Sequence, residues 1–185
     1  MATIRSPSDK LWVVGILRHR HDEPPLKRFR MQTRLLSIGD DYWIEDGDGH
    51  RAYLVDGKAL RLRDTWELKD TNRDTVARIK ERKLTVRDKM KVELADGRHV
   101  KITKRIIGIR DHFAIEVEQG HDLKAHGNVV DHEYEIEGPD GKVAEVSKRW
   151  FRVRDTYGVD IVAPVDPVIV LAVTVAIDAM CHDHG

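Results

Sequence analysis

Leu62-Arg63-Asp64-Thr65-Trp66-Glu67-Leu68 decides the reading of this chain, because it recurs. Twenty-four residues upstream stands Ile38-Gly39-Asp40-Asp41-Tyr42-Trp43-Ile44, and twenty-four downstream Val86-Arg87-Asp88-Lys89-Met90-Lys91-Val92. Ile109-Arg110-Asp111-His112-Phe113-Ala114-Ile115 comes 23 later, and Val153-Arg154-Asp155-Thr156-Tyr157-Gly158-Val159 comes 44 after that. A degenerate copy, Val130-Asp131-His132-Glu133-Tyr134, fills the gap. A repeat of this size implies one supersecondary unit per copy.

After each Asp the residues alternate. Phe113, Ile115 and Val117 are apolar between polar or small neighbours, as are Met90, Val92 and Leu94. Period two is the signature of a half-buried antiparallel strand. A second alternating run precedes each Asp, such as Leu60-Arg61-Leu62. Between the Asp positions lies another class of turn: Asp48-Gly49, Thr71-Asn72, Asp96-Gly97, Gln119-Gly120 and Asp140-Gly141. Asp-Gly between alternating runs is a strong hairpin signal, since both residues tolerate positive φ. The Arg-Asp positions read as corners that Asp closes by accepting a backbone hydrogen bond two residues on.

Six such units predict twelve strands in a meander. That many twisted strands close rather than stay open, because edges invite aggregation and twist accumulates. A closed antiparallel barrel of this size is wider than its strands' side chains fill. The filler is the run Val168-Ile169-Val170-Leu171-Ala172-Val173-Thr174-Val175-Ala176-Ile177. Its β-branched content also fits a last strand, but its length and lack of alternation favour a helix over about 167–181. A helix apolar on every side must be buried on every side. The same run is shorter than the ~20 residues that cross a membrane, and Asp178 interrupts it.

Charge and cysteine usage exclude several classes. Lys+Arg and Asp+Glu are equal at 32 each, which argues against a protein that coats nucleic acid. One cysteine, Cys181, rules out an internal disulfide and a multi-cysteine zinc site, and a reducing, cytoplasmic setting is the expectation. Leu11-Trp12-Val13-Val14-Gly15-Ile16-Leu17 is followed by Arg18-His19-Arg20-His21, unlike a cleaved signal peptide.

The chain from about Arg28 to Asp183 resembles the LURP-one-related family. The resemblance is carried by Leu35-Leu36-Ser37-Ile38-Gly39-Asp40-Asp41-Tyr42, Val55-Asp56-Gly57-Lys58-Ala59-Leu60, Asp131-His132-Glu133-Tyr134, Val146-Ser147-Lys148-Arg149-Trp150, Arg154-Asp155-Thr156-Tyr157-Gly158-Val159-Asp160 and the ending Ala176-Ile177-Asp178-Ala179-Met180-Cys181-His182-Asp183. It implies a 12-stranded barrel around a central C-terminal helix, a fold similar to the Tubby C-terminal domain and the phospholipid scramblases. It implies little biochemistry: most members have no known function, and plant members have a defence-related role. The phosphoinositide site of Tubby proteins has no residue-by-residue counterpart here, and scramblase-like cysteine clusters are missing. The expected layout is an N-terminal extension, 1–27, that is flexible, and a barrel domain, 28–185.

A regular meander places Arg63, Arg87, Arg110 and Arg154 at one end of the barrel. Guanidinium groups bind phosphate bidentately, so that ring is the candidate site for anionic headgroups. The competing reading is structural, with Asp64, Asp88, Asp111 and Asp155 each neutralising its neighbour. Asp178, buried inside an apolar helix, must pair or stay protonated; His182 or a barrel Arg is the expected partner, in a structural role. Cys181-His182-Asp183-His184 carries metal-capable atoms, but consecutive residues do not converge on one ion, and a solvated tail is expected. The remaining histidines are scattered, and no nucleophile elbow, phosphate loop or dinucleotide fingerprint occurs.

These readings converge on a non-enzymatic binding or scaffolding module with no catalytic residues, metal or cofactor. Anionic phospholipid headgroups are its first candidate ligand, and it would sit peripherally at the membrane. An excess of basic residues in the first 34 positions is compatible with that location, although a solvated tail is the expected reading of it. A protein–protein interaction module is the alternative, and an uncharacterised enzyme the third reading. Oligomeric state is not legible.

Overall fold

The computed structural model describes residues 26–32, 41–57, 65–81, 89–107, 110–150 and 156–182; for 106, 107, 110, 111 and 182 this extends to the backbone alone. Twelve strands lie among them: β1 (Lys27–Gln32), β2 (Tyr42–Asp46), β3 (Arg51–Asp56), β4 (Thr65–Lys69), β5 (Thr75–Glu81), β6 (Lys89–Leu94), β7 (His99–Ile107), β8 (Arg110–Val117), β9 (Leu123–Asn128), β10 (Glu133–Gly138), β11 (Gly141–Ser147) and β12 (Thr156–Ile161). Each pairs antiparallel with the next, and β1 pairs with β12 over six residues, Lys27 with Ile161 through Gln32 with Thr156. The sheet is a closed barrel. Closure removes the unpaired edges that a twelve-stranded meander would otherwise expose.

Helix α1 (Pro167–His182) follows β12. Pro167 suits a first helical position, where its missing N–H has no intrahelical partner. Asp166 caps the helix: its Oδ1 accepts from Val168 N at 3.0 Å. Every residue from Ile169 to Met180 is buried, and all the apolar ones among them join one core cluster with the inward residues of the strands. The helix therefore fills the bore, as the all-round apolar run predicts. Its axis lies nearest β5, β6 and β7, with a lesser approach to β12.

The origin of the 24-residue period is visible in three hairpin turns. Gly49 N donates to Asp46 O at 3.1 Å, Arg73 N to Asp70 O at 3.0 Å, and Gly97 N to Leu94 O at 3.0 Å. The fourth residue of each, the donor, lies at positive φ, 85° for Gly49, 70° for Arg73 and 91° for Gly97. Side-chain caps repeat as well. Asp46 Oδ1 accepts from the N–H of Asp48 and His50, and Asp70 Oδ1 from that of Asn72 and Asp74. An Asp cap of the kind expected at the Arg-Asp corners is thus seen at turns of the opposite end of the barrel; the corners at Asp64, Asp88 and Asp155 lie outside the described residues.

The Arg-Asp pairs behave differently from corners where they are described. Arg110 and Asp111 open β8, paired with Ile107 and Ile106, so the hairpin connection there is 108–109. Asp64, Asp88 and Asp155 lie outside the described residues. The corner of the degenerate copy is described in full. Asn128 Nδ2 donates to Asp131 Oδ2 at 2.6 Å and Asp131 N to Asn128 Oδ1 at 3.2 Å. Here the Asp closes the corner through a side-chain amide, because Asn128 ends β9 within reach.

Candidate functional site

The outer wall is built from the polar half of each alternating strand. Lys80 on β5 stands opposite Lys91 on β6, which stands opposite Lys101 on β7. Their neighbours Ile79, Met90, Val92, Val100 and Ile102 are buried, so period two turns the three lysines outward. Like charges directly opposite one another are unfavourable. Glu93 offsets part of that, accepting from Lys80 at 2.6 Å and Lys91 at 3.3 Å, and Glu116 accepts from Lys101 at 2.8 Å. The Lys80 ammonium, first among several causes, holds the Glu93 carboxyl below its ordinary pKa. Three ammonium groups thus share two carboxylates.

A concavity of about 380 Å³ adjoins this row, lined by Lys89, Lys91, His99, Lys101, Glu116 and Glu118 among others. His99 Nδ1 is buried without a hydrogen-bond partner among the described residues. The surrounding chain is locally basic. From Arg78 to His112 it carries twelve Lys or Arg against five Asp or Glu, while the whole-chain totals cancel. Sequence reasoning missed this wall because it weighed the overall balance; a windowed charge count would have found it.

The predicted arginine site lies largely outside the described residues. Arg63, Arg87 and Arg154 and their partners Asp64, Asp88 and Asp155 lie outside the described residues. Arg110 and Asp111 have a described backbone in β8 and no described side chain. The strands that follow these pairs begin at one end of the barrel, the end toward which α1 runs.

Asp178 is buried in α1 at 1% exposure; the side chain of His182, one expected partner, lies outside the described residues, and two partners that were not expected are seen. Tyr157 Oη donates to Asp178 Oδ2 at 2.5 Å, and His132 Nε2 lies 3.5 Å from Oδ1. The His132 and Tyr157 rings lie 4.4 Å apart between centroids. Burial, and then the Asp178 charge, push the phenols of Tyr42, Tyr134 and Tyr157 well above their ordinary pKa. Tyr157, His132 and Asp178 are closed off from solvent, between 0% and 2% exposed. The group grips the helix; no substrate reaches it in this arrangement. Cys181 and His182, expected in a solvated tail, belong to the last turn of α1, and Cys181 is half-buried.

Asp46, Asp48 and His50 bring potential metal-ligating atoms within 4.8 Å of one another on an exposed turn. The turn itself accounts for that proximity, since Asp46 caps it. Among the described residues no helix is long and apolar enough to cross a membrane.

Fold and wall together define a class: a closed up-and-down barrel, plugged by its own C-terminal helix, with a basic sector on its outer face. The family model described as LURP-one-related matches residues 27–178, and the chain belongs to the LURP-one-related family. Among solved structures it is similar to a protein from Arabidopsis thaliana, with a TM-score of 0.58, 12% identity, and coverage of 84% of this chain and 91% of that one. At that identity the likeness shows the fold alone. No curated protein matches significantly.

Proposed function

We propose that this chain is a non-enzymatic binding module whose β5–β8 wall engages anionic phospholipid headgroups at a membrane surface. The observation that carries the reading is the row Lys80, Lys91 and Lys101, in register on three adjacent strands and beside a headgroup-sized concavity. These three opposed cations share only two carboxylates, Glu93 and Glu116, and an anion outside the chain complements the remaining charge. Arg87 and Arg110 belong to the connection and strand start of this same sector, which keeps two of the four sequence-predicted arginines in the proposal. Each basic residue near an anionic surface contributes about 1 kcal/mol.

Co-sedimentation of the full chain with vesicles tests this. Binding is expected to vesicles containing phosphatidylserine or phosphoinositide, to be absent with phosphatidylcholine alone, and to weaken as salt rises. Replacing Lys80, Lys91 and Lys101 with Gln together is expected to weaken binding by roughly a hundredfold, following about 1 kcal/mol per residue. Binding that ignores salt, or that survives the triple substitution, overturns the reading.

A further inference from the structure

The barrel mouth where α1 begins holds a cleft of about 560 Å³. Its walls are largely apolar, including Val117, Leu123, Val143, Val165 and Ile169, and its charged lining is mixed: Asp140 and Asp166 with Arg98, His121 and Lys142, the last paired with Glu135 and Glu145. Arg98 already pairs with Asp166 at 3.2 Å, which leaves Asp140 as the exposed acid. Leu26 lines the same cleft and is 63% exposed, a large apolar side chain left in water where the described chain begins. The described chain therefore begins at the rim of the cleft itself.

Residues 1–25 include Leu11-Trp12-Val13-Val14-Gly15-Ile16-Leu17, with Arg18 and Arg20 directly after, all upstream of the family match that starts at residue 27. The nine steps from Leu17 to Leu26 reach up to about 30 Å, enough to return the stretch across the mouth. A short tether holds such a segment at an effective concentration on the order of millimolar. An apolar stretch ending in cations matches an apolar floor with one exposed acid, Asp140, at its rim.

We infer that Leu11–Leu17 is the occupant of this cleft, docking intramolecularly with Arg18 and Arg20 against Asp140. The site lies at the barrel mouth, apart from the lysine row, so it stands or falls separately from the headgroup reading. The test uses the full chain with Cys181→Ser and a nitroxide on Ile16→Cys. Amide signals of Gly120, His121, Asp140, Gly141 and Ala163 are expected to lose most of their intensity, and those of β4 to keep theirs. In the chain with its native cysteine, trypsin cleavage after Arg18 and Arg20 is expected to run about tenfold faster in Leu11→Asp/Val14→Asp and in Asp140→Lys, because cleavage tracks the undocked population. Unbleached signals at the mouth overturn the inference, as does cleavage that neither substitution alters.

Discussion

Arg73 occupies a backbone position that its counterparts give to glycine. At 24-residue offsets Gly49, Arg73 and Gly97 all sit at positive φ, and an arginine pays a steric cost there that glycine does not. Arg73→Gly is expected to raise stability by about 1 kcal/mol, read from urea unfolding. The buried tyrosines make an opposite kind of residue-level demand. Tyr42, Tyr134 and Tyr157 have phenol pKa values raised by burial first and by Asp178 second. Below pH ~10 these phenols are protonated whether folded or not, so their contribution is intact there. Above it the unfolded chain releases protons that the folded chain keeps, and stability falls as pH rises, by about 1.4 kcal/mol per pH unit per tyrosine. Thermal midpoints are expected to hold to pH ~10 and then drop, with a shallower fall in Tyr42→Phe. Tyr157→Phe, which removes the hydrogen bond to Asp178, is expected to cost about 1–3 kcal/mol at neutral pH.

Strands and helix depend on one another. Closure pairs each strand on both sides, and the inward side chains join α1 in one core cluster. Leu171→Ala, at a fully buried helix position, is expected to lower stability by about 2–5 kcal/mol, measured by chemical denaturation. Truncation after Pro167 is expected to leave an expanded or insoluble product. Gly127 shows a tighter constraint within the wall. A Cβ there would lie 2.6 Å from Glu133 O and 2.7 Å from Tyr134 Cα, so Gly127→Ala must displace backbone in β10. Much of this level was legible in the sequence. The 24-residue spacing follows from turns whose hydrogen bonds recur at that spacing, and α1 from a run with no polar face. The partners of Asp178 were not legible, because Tyr157 and His132 reach it from strand and loop across the bore. Sequence reasoning looked along the helix to His182, where spacing is local and readable; barrel register is not.

At the scale of the whole molecule, a chain with no net charge keeps its charges apart. Within the locally basic stretch Arg78 to His112, Lys80, Lys91 and Lys101 face outward on β5–β7, and the excess is balanced elsewhere in the chain. Ion pairs between neighbouring strands knit other sectors of the wall, among them Lys124 with Glu137 at 2.8 Å and Lys142 with Glu135 at 2.6 Å. Exposed pairs of this sort contribute little to stability; their effect is a surface suited to water and to charged partners. The wall, the mouth cleft and the tyrosine–aspartate grip all take their geometry from one packing arrangement, a helix enclosed by the sheet that precedes it. Hydrogen exchange of the full chain, followed amide by amide, tests that arrangement most directly. The account predicts that the amides of Val170–Ala179 exchange only through global unfolding, at the slowest rates in the protein. Exchange of those amides as fast as the exposed hairpin turns would contradict it.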